Sequence, residues 1–203
     1  MAKKLVIGLV GQVCAGKSAV TAAFERRGAQ VYDADRVVHE LYARPDVKDE
    51  VRALLGADVF GTDGEVDRKK IGAKVFADPA KLKELTARIL FPRTLAVLEA
   101  RLQEFRAPDC AAPALIVDAP TLFEAGRETL CDRVLFVAAP LARRDAWAQA
   151  QRGWAKGEVE RREARLLNEA QKRARCTDVL ENDGSLAELD KKAGACWQMW
   201  FGG

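Results

Sequence analysis

Three short stretches of the chain are apolar almost throughout: Leu5 to Val10, Ala114 to Val117 and Val134 to Ala138. Unbroken apolar runs suit strands buried on both faces of a parallel sheet, whereas a strand with one wet face alternates. Gln30 to Tyr32 and Thr177 to Leu180 are shorter candidates. Segments with helical spacing follow, among them Lys17 to Arg27, where Val20, Ala23 and Phe24 share a face, and Leu186 to Met199 after Asp183-Gly184. Strands alternating with helices predict an α/β fold with a parallel sheet.

The middle of the chain breaks this rhythm. Between Val38 and about Arg106 no buried strand is predicted, but helices are expected at Val47 to Leu55, Arg68 to Phe76 and Pro79 to Arg106, the last with a break at Phe91-Pro92. A helical insertion over about 45–107 therefore interrupts a single domain spanning 4–203. A second polar stretch, Arg143 to Arg175, carries its charges at helical spacing around Gly153 and Gly157.

Composition narrows the class. With 49% hydrophobic residues and a net charge of only +3, the chain can bury a core and is not expected to be disordered. Its mild basicity does not suggest a nucleic-acid partner. The five cysteines are scattered without a CxxC pair, which predicts neither a disulfide framework nor a zinc site and points to the cytoplasm. The start, Met1-Ala2-Lys3-Lys4 before a short apolar run, does not read as a signal peptide, and no run is long enough to span a membrane.

The chemistry begins after the first predicted strand. Gly11-Gln12-Val13-Cys14-Ala15-Gly16-Lys17-Ser18 matches GxxxxGK[ST] in full. That spacing lets loop N–H groups wrap nucleotide phosphates at a helix N-terminus, with Lys17 reaching the β and γ phosphates and Ser18 ligating magnesium. A GTPase would also need an NKxD segment, which is missing. Ala114 to Asp118 resembles a Walker B strand, with Asp118 placed either to hold magnesium or merely to cap a turn. Tyr32-Asp33-Ala34-Asp35-Arg36 closes the second strand, and ligands of parallel α/β sheets lie outside the carboxyl ends of strands. Asp33 can there accept the proton of an attacking hydroxyl, while Asp35 alone is explained equally well as the cap of a helix starting at Arg36.

Together these residues resemble the dephospho-coenzyme A kinase family, which phosphorylates the ribose 3′-hydroxyl of dephospho-CoA in the last step of CoA synthesis. The resemblance rests on the phosphate loop, Asp33-Ala34-Asp35 with His39 beyond it, Asp63 to Arg68, Val75-Phe76, Pro120 to Glu124 and Asp178 to Ser185, in the family's order over almost the whole chain. It implies a three-layer P-loop kinase fold with a five-stranded parallel sheet, a helical CoA-binding insertion and a lid over about 143–175. ATP and Mg2+ are the implied cofactors, and a monomer is the default. Gly11, Gln12, Val13, Cys14, Ala15, Gly16, Lys17, Ser18 and Ala19 would hold ATP, with Asn182 at its adenine. The resemblance further implies Asp33 as general base, Asp35 organising substrate or metal, Arg68 and Glu124 near the acceptor, and Arg152 as a lid arginine on the transferring phosphoryl group. His39 is given no chemistry.

The departures are specific. Cys14-Ala15 replaces a usual Gly-Ser, Phe91 stands for a histidine, a first lid arginine falls at Trp147 or Ala148 although Arg143 and Arg144 lie one turn earlier, and Leu166 or Leu167 replaces a glutamine. These changes keep two alternatives open: a P-loop kinase for another nucleotide-like acceptor, or a nucleotide-binding protein without catalysis. Resolved along the chain, Arg143 to Arg175 alone carries +5, from ten basic and five acidic residues, and leaves −2 elsewhere. Excess positive charge over a triphosphate fits a small phosphorylated ligand.

Overall fold

A computed structural model of the chain describes residues 3–164 and 166–202; Arg165, one of the ten basic residues counted above, and Gly203, the expected far limit of the domain, lie outside them. In chain order the regular elements are β1 (Leu5–Gly11), α1 (Lys17–Glu25), β2 (Gln30–Asp33), α2 (Ala34–Ala43), α3 (Pro45–Leu55), α4 (Arg68–Ala77), α5 (Pro79–Glu84), α6 (Phe91–Arg106), β3 (Ala114–Asp118), β4 (Arg133–Ala138), α7 (Leu141–Arg152), α8 (Glu158–Glu163), α9 (Glu169–Ala174), β5 (Asp178–Glu181) and α10 (Leu186–Phe201). The strands form one five-stranded parallel sheet in the order β2-β3-β1-β4-β5. Among its ladders, Ile7 faces Ile116 of β3 on one side and Arg133 of β4 on the other.

The chain divides into two compact units, one formed by the chain up to Tyr32 and again from Phe105, the other by Asp33 to Glu104. In the first, Leu5, Ile7 and Leu9 of β1 pack with Val20 and Phe24 of α1 and Leu189, Ala193 and Trp200 of α10. These odd-numbered β1 residues share one face of the sheet, as the two-residue strand period requires. Residue 8 faces the other side, where a Cβ on Gly8 would meet Leu122 at 2.7 Å. Both faces of β1 are thus covered, which is why its sequence does not alternate. Trp200 and Trp197 stand against Phe24 with ring centroids 5.4 and 5.9 Å away.

The second unit has its own core. Val47, Val51 and Leu55, spaced by four on α3, meet Ile71 and Val75 of α4 and Leu85, Ile89 and Leu90. The break expected at Phe91-Pro92 is absent. A π-turn over Leu85–Leu90 leads straight into α6, and Phe91 keeps helical angles. A proline inside a continuous helical run forfeits one backbone donor and crowds the preceding turn, and the wider turn before it makes room for the ring.

No helix among the described residues is long and apolar enough to cross a membrane. Because Trp200 is 1% exposed at the centre of the first core, Trp200→Ala is expected to destabilise the protein by about 3–5 kcal/mol, read as a lower urea midpoint. An unchanged midpoint would show that α10 does not anchor the sheet.

Candidate active site

The phosphate loop is shaped by what holds its back. At its start β1 and β4 approach so closely that a Cβ on Gly11 would lie 2.3 Å from the Val137 carbonyl, so only glycine fits. Gln12 donates its N–H to the same carbonyl at 3.1 Å, and its side-chain oxygen accepts the Ala139 N–H at 2.9 Å. Further on, Asn182, buried just past β5, donates its amide to the Ala15 carbonyl at 2.9 Å. The buried Arg144 of α7 donates from Nε to the Ala139 carbonyl at 2.9 Å and from Nη1 to the Val13 carbonyl at 3.2 Å. With the Val13 and Ala15 carbonyls held by side chains and the Ala15 N–H turned onto the Gln12 carbonyl at 3.2 Å, the loop is fixed in the curled form that an anion-binding loop requires.

Two backbone positions show the strain of this turn. Gly16, the residue before α1, has φ +90°, and a Cβ there would press on the Asn182 amide at 2.5 Å. Cys14 has φ +59° and is the one non-glycine residue with positive φ among those described. Its replacement of the family's usual glycine therefore acts on the backbone, where the left-handed region costs an L-residue about 1–2 kcal/mol.

Of the residues expected to hold ATP, Gly11, Gln12, Val13, Cys14, Ala15, Gly16, Lys17, Ser18 and Ala19 form one continuous loop and first helical turn. Asn182 joins them, though its amide is spent on the Ala15 carbonyl. Ser18 is exposed on the first turn of α1. Asp118 ends β3 and lies 3.4 Å from the hydroxyl of Thr21, one turn along α1 from Ser18. Glu124 receives the Leu167 N–H at 3.4 Å and lies 3.8 Å from the buried Lys172 of α9. Arg152 is exposed at the end of α7 and stacks on Trp154 at 5.0 Å, and Arg162 covers that ring at 4.0 Å.

The two arginines a turn earlier do other work. Arg143 donates to the carbonyls of Asp183 and Gly184 and lies over the Trp147 ring at 5.0 Å. Arg144 also meets Glu163 of α8 at 2.7 Å, and the same carboxylate oxygen accepts the Val13 N–H at 2.9 Å. The sequence marks Arg144 only as an arginine one turn early, and it does not mark Glu163 at all. The only signal was two arginines out of register with the family pattern.

Asp33, Asp35 and Arg68 belong to the second compact unit. Asp33 is both the last residue of β2 and the N-cap of α2, accepting the Arg36 N–H at 3.0 Å. The helix starts at Ala34, so the capping role considered for Asp35 falls to Asp33, and Asp35 is exposed in the first turn. Arg68 opens α4 behind Asp67, which caps the N–H groups of Lys69 and Lys70. Burial pushes the Tyr42 phenol up to about 12, against the opposing charge of Arg68.

Comparisons with known proteins bear on the family and the fold. A model of the family described as dephospho-CoA kinase matches residues 5–188. A dephospho-CoA kinase of Deinococcus radiodurans is 38% identical over 91% of this chain and 86% of its own. A crystal structure from Thermus thermophilus is 34% identical, with a TM-score of 0.80 over 97% of this chain and 98% of that one. A dephospho-CoA kinase from Campylobacter jejuni, 17% identical, shares the fold with a TM-score of 0.66 over 98% of this chain and 99% of that one.

Replacing Cys14 by glycine removes the strain at φ +59°. Cys14→Gly is expected to stabilise the protein by about 0.5–1 kcal/mol, net of the flexibility glycine adds to the unfolded chain. A rise of about 2 °C in the thermal midpoint would register it; a lower midpoint would mean that the side chain contributes more than the strain costs.

Proposed function

We propose the following residue roles from the premise that the chain belongs to the dephospho-CoA kinase family: ATP binds on Gly11–Ser18, and its γ-phosphoryl group passes to the ribose 3′-hydroxyl of dephospho-CoA, giving CoA and ADP. The observation that carries this reading is the loop itself, its Ala15 and Val13 carbonyls held by Asn182 and Arg144 and its last glycine leading into the start of α1. Catalysis of this kind is mostly positioning and charge neutralisation, because the transferring group is loosely bonded at the transition state.

Lys17 follows the loop directly and is placed to neutralise charge on the β and γ phosphates. Arg152 approaches the transferring group from the end of α7, a role supported by its exposure and by its place in the basic segment. Asp33 takes the proton of the ribose hydroxyl. Its position at the carboxyl end of β2 supports this, since ligands bind outside that edge of a parallel sheet. The Arg36 N–H on one carboxylate oxygen holds the side chain in place at the strand end. Asp35, Arg68 and Glu124 are assigned to the acceptor, and Asn182 to the adenine side of ATP through the loop it holds.

The donor set also fits magnesium. Asp118 faces α1 through Thr21, and Ser18 lies one turn away on the same helix, giving a hydroxyl and a carboxylate for a cation that takes only one or two protein oxygens and completes its shell with phosphate and water. Bound there, magnesium would supply charge neutralisation on the β and γ oxygens. A cytoplasmic location is supported by five free cysteines, of which burial pushes Cys131 up to about 12 and Cys176 up to about 11, so neither is a reactive thiolate near neutral pH.

The test is Asp33→Asn. With Mg-ATP and dephospho-CoA, the variant should bind ATP as tightly as the unaltered protein while phosphoryl transfer falls by about 10²–10⁴-fold. Equal rates would remove Asp33 from the mechanism. Transfer by the unaltered protein to other nucleosides but not to dephospho-CoA would favour a kinase for a different acceptor.

A further inference from the structure

The Glu163 carboxylate oxygen that accepts the Val13 N–H at 2.9 Å and faces Arg144 Nη1 at 2.7 Å sits in a two-donor anion site at the mouth of the phosphate loop. One donor is a loop N–H and the other a guanidinium fixed independently by the Ala139 and Val13 carbonyls. Arg144 has 5% of its side chain exposed, Glu163 26%. The cation is therefore part of the framework and the carboxylate is the movable partner, carried at the end of a six-residue helix. It also lines a cavity of about 370 Å³ whose walls include Gly11, Gln12, Leu167 and Lys172, which gives the side chain space to withdraw.

We infer that Glu163 is an internal competitor for nucleotide phosphate: at rest it fills the Val13–Arg144 anion site, and a phosphate oxygen of ATP displaces it, exposing Arg144 as a phosphate-positioning cation. The inference rests on the reading of Gly11–Ser18 as the ATP phosphate site. A carboxylate left in place would stand against the negative charge of the triphosphate in a partly buried setting, where like charges are poorly screened. A phosphate oxygen uses the same two donors and brings more charge to the guanidinium, with which it can pair in the planar geometry that arginine favours. Arg144 would then supply positive charge where Trp147 and Ala148 do not. Glu163 sets the nucleotide affinity through the charge it removes, so it acts on binding through Arg144 and the loop and does not touch the reacting atoms.

Glu163→Gln keeps the oxygen that accepts the Val13 N–H and deletes the charge, and Glu163→Asp keeps the charge. Dissociation constants for ATP, ADP, AMP and adenosine are measured by calorimetry on the full chain in magnesium buffer, with thermal unfolding as a check that each variant is folded. Glu163→Gln should bind ATP about two- to fivefold more tightly, the worth of one partly exposed ion pair. The gain should shrink from ATP to AMP and vanish for adenosine, and Glu163→Asp should behave like the unaltered protein. An ATP affinity in Glu163→Gln that is unchanged or weaker, or an equal gain for adenosine, would overturn the proposal. No acceptor is present, so failure of the dephospho-CoA assignment would leave this comparison readable.

Discussion

The structure turns on one constraint: a loop that offers its N–H groups to an anion must have its carbonyls held in place. Here the holding groups come from distant parts of the chain. Asn182 arrives from the end of β5 and Arg144 from α7, while the Val137 carbonyl at the end of β4 receives Gln12. Each is in place only because β1, β4 and β5 are adjacent in the sheet. The burial of β1 on both faces therefore fixes the sheet, the sheet fixes the order of strand ends, and the strand ends fix the loop. Strand packing and phosphate chemistry are links in one chain of cause.

Charge follows the same geometry. The +5 of segment 143–175 does not reach a ligand undiminished. Arg143 is committed to the carbonyls after Asn182, Arg173 to Glu169 and Glu181, and Arg144 to the loop and Glu163. Much of the basic excess holds up the site's walls; the exposed Arg152 is a candidate for the phosphoryl group, and Arg144 meets phosphate only once Glu163 has given way. The altered arginine register is thus compatible with kinase chemistry, because the residues out of register build the frame.

Much of this was legible in the sequence where a local rule applied. The strand, loop and helix from Leu5 to Glu25 follow from an apolar run and a phosphate-loop motif, since both are contiguous. Residues that act over long separations left no such trace. Nothing local ties Arg144 to Val13, or Asn182 to Ala15, because those bonds exist only once the sheet has formed. The expected break at Pro92 missed the π-turn that makes room for the ring, a choice set by packing of Leu85, Ile89 and Leu90 in the second core. The cap of α2 was looked for at Asp35 and lies at Asp33, which leaves one residue serving strand end, helix cap and proposed base. The departure at Cys14 is visible in the sequence, but its cost, a positive φ in the backbone, is not.

The most direct measurement is the identity of the product. Purified protein is incubated with Mg-ATP and dephospho-CoA, and the nucleotide products are resolved by phosphorus NMR and mass spectrometry. A new phosphomonoester on the ribose 3′-oxygen, formed in equal amount with ADP, is the predicted result. ATP that binds but stays intact, or ADP formed with inorganic phosphate and unaltered dephospho-CoA, would contradict the account.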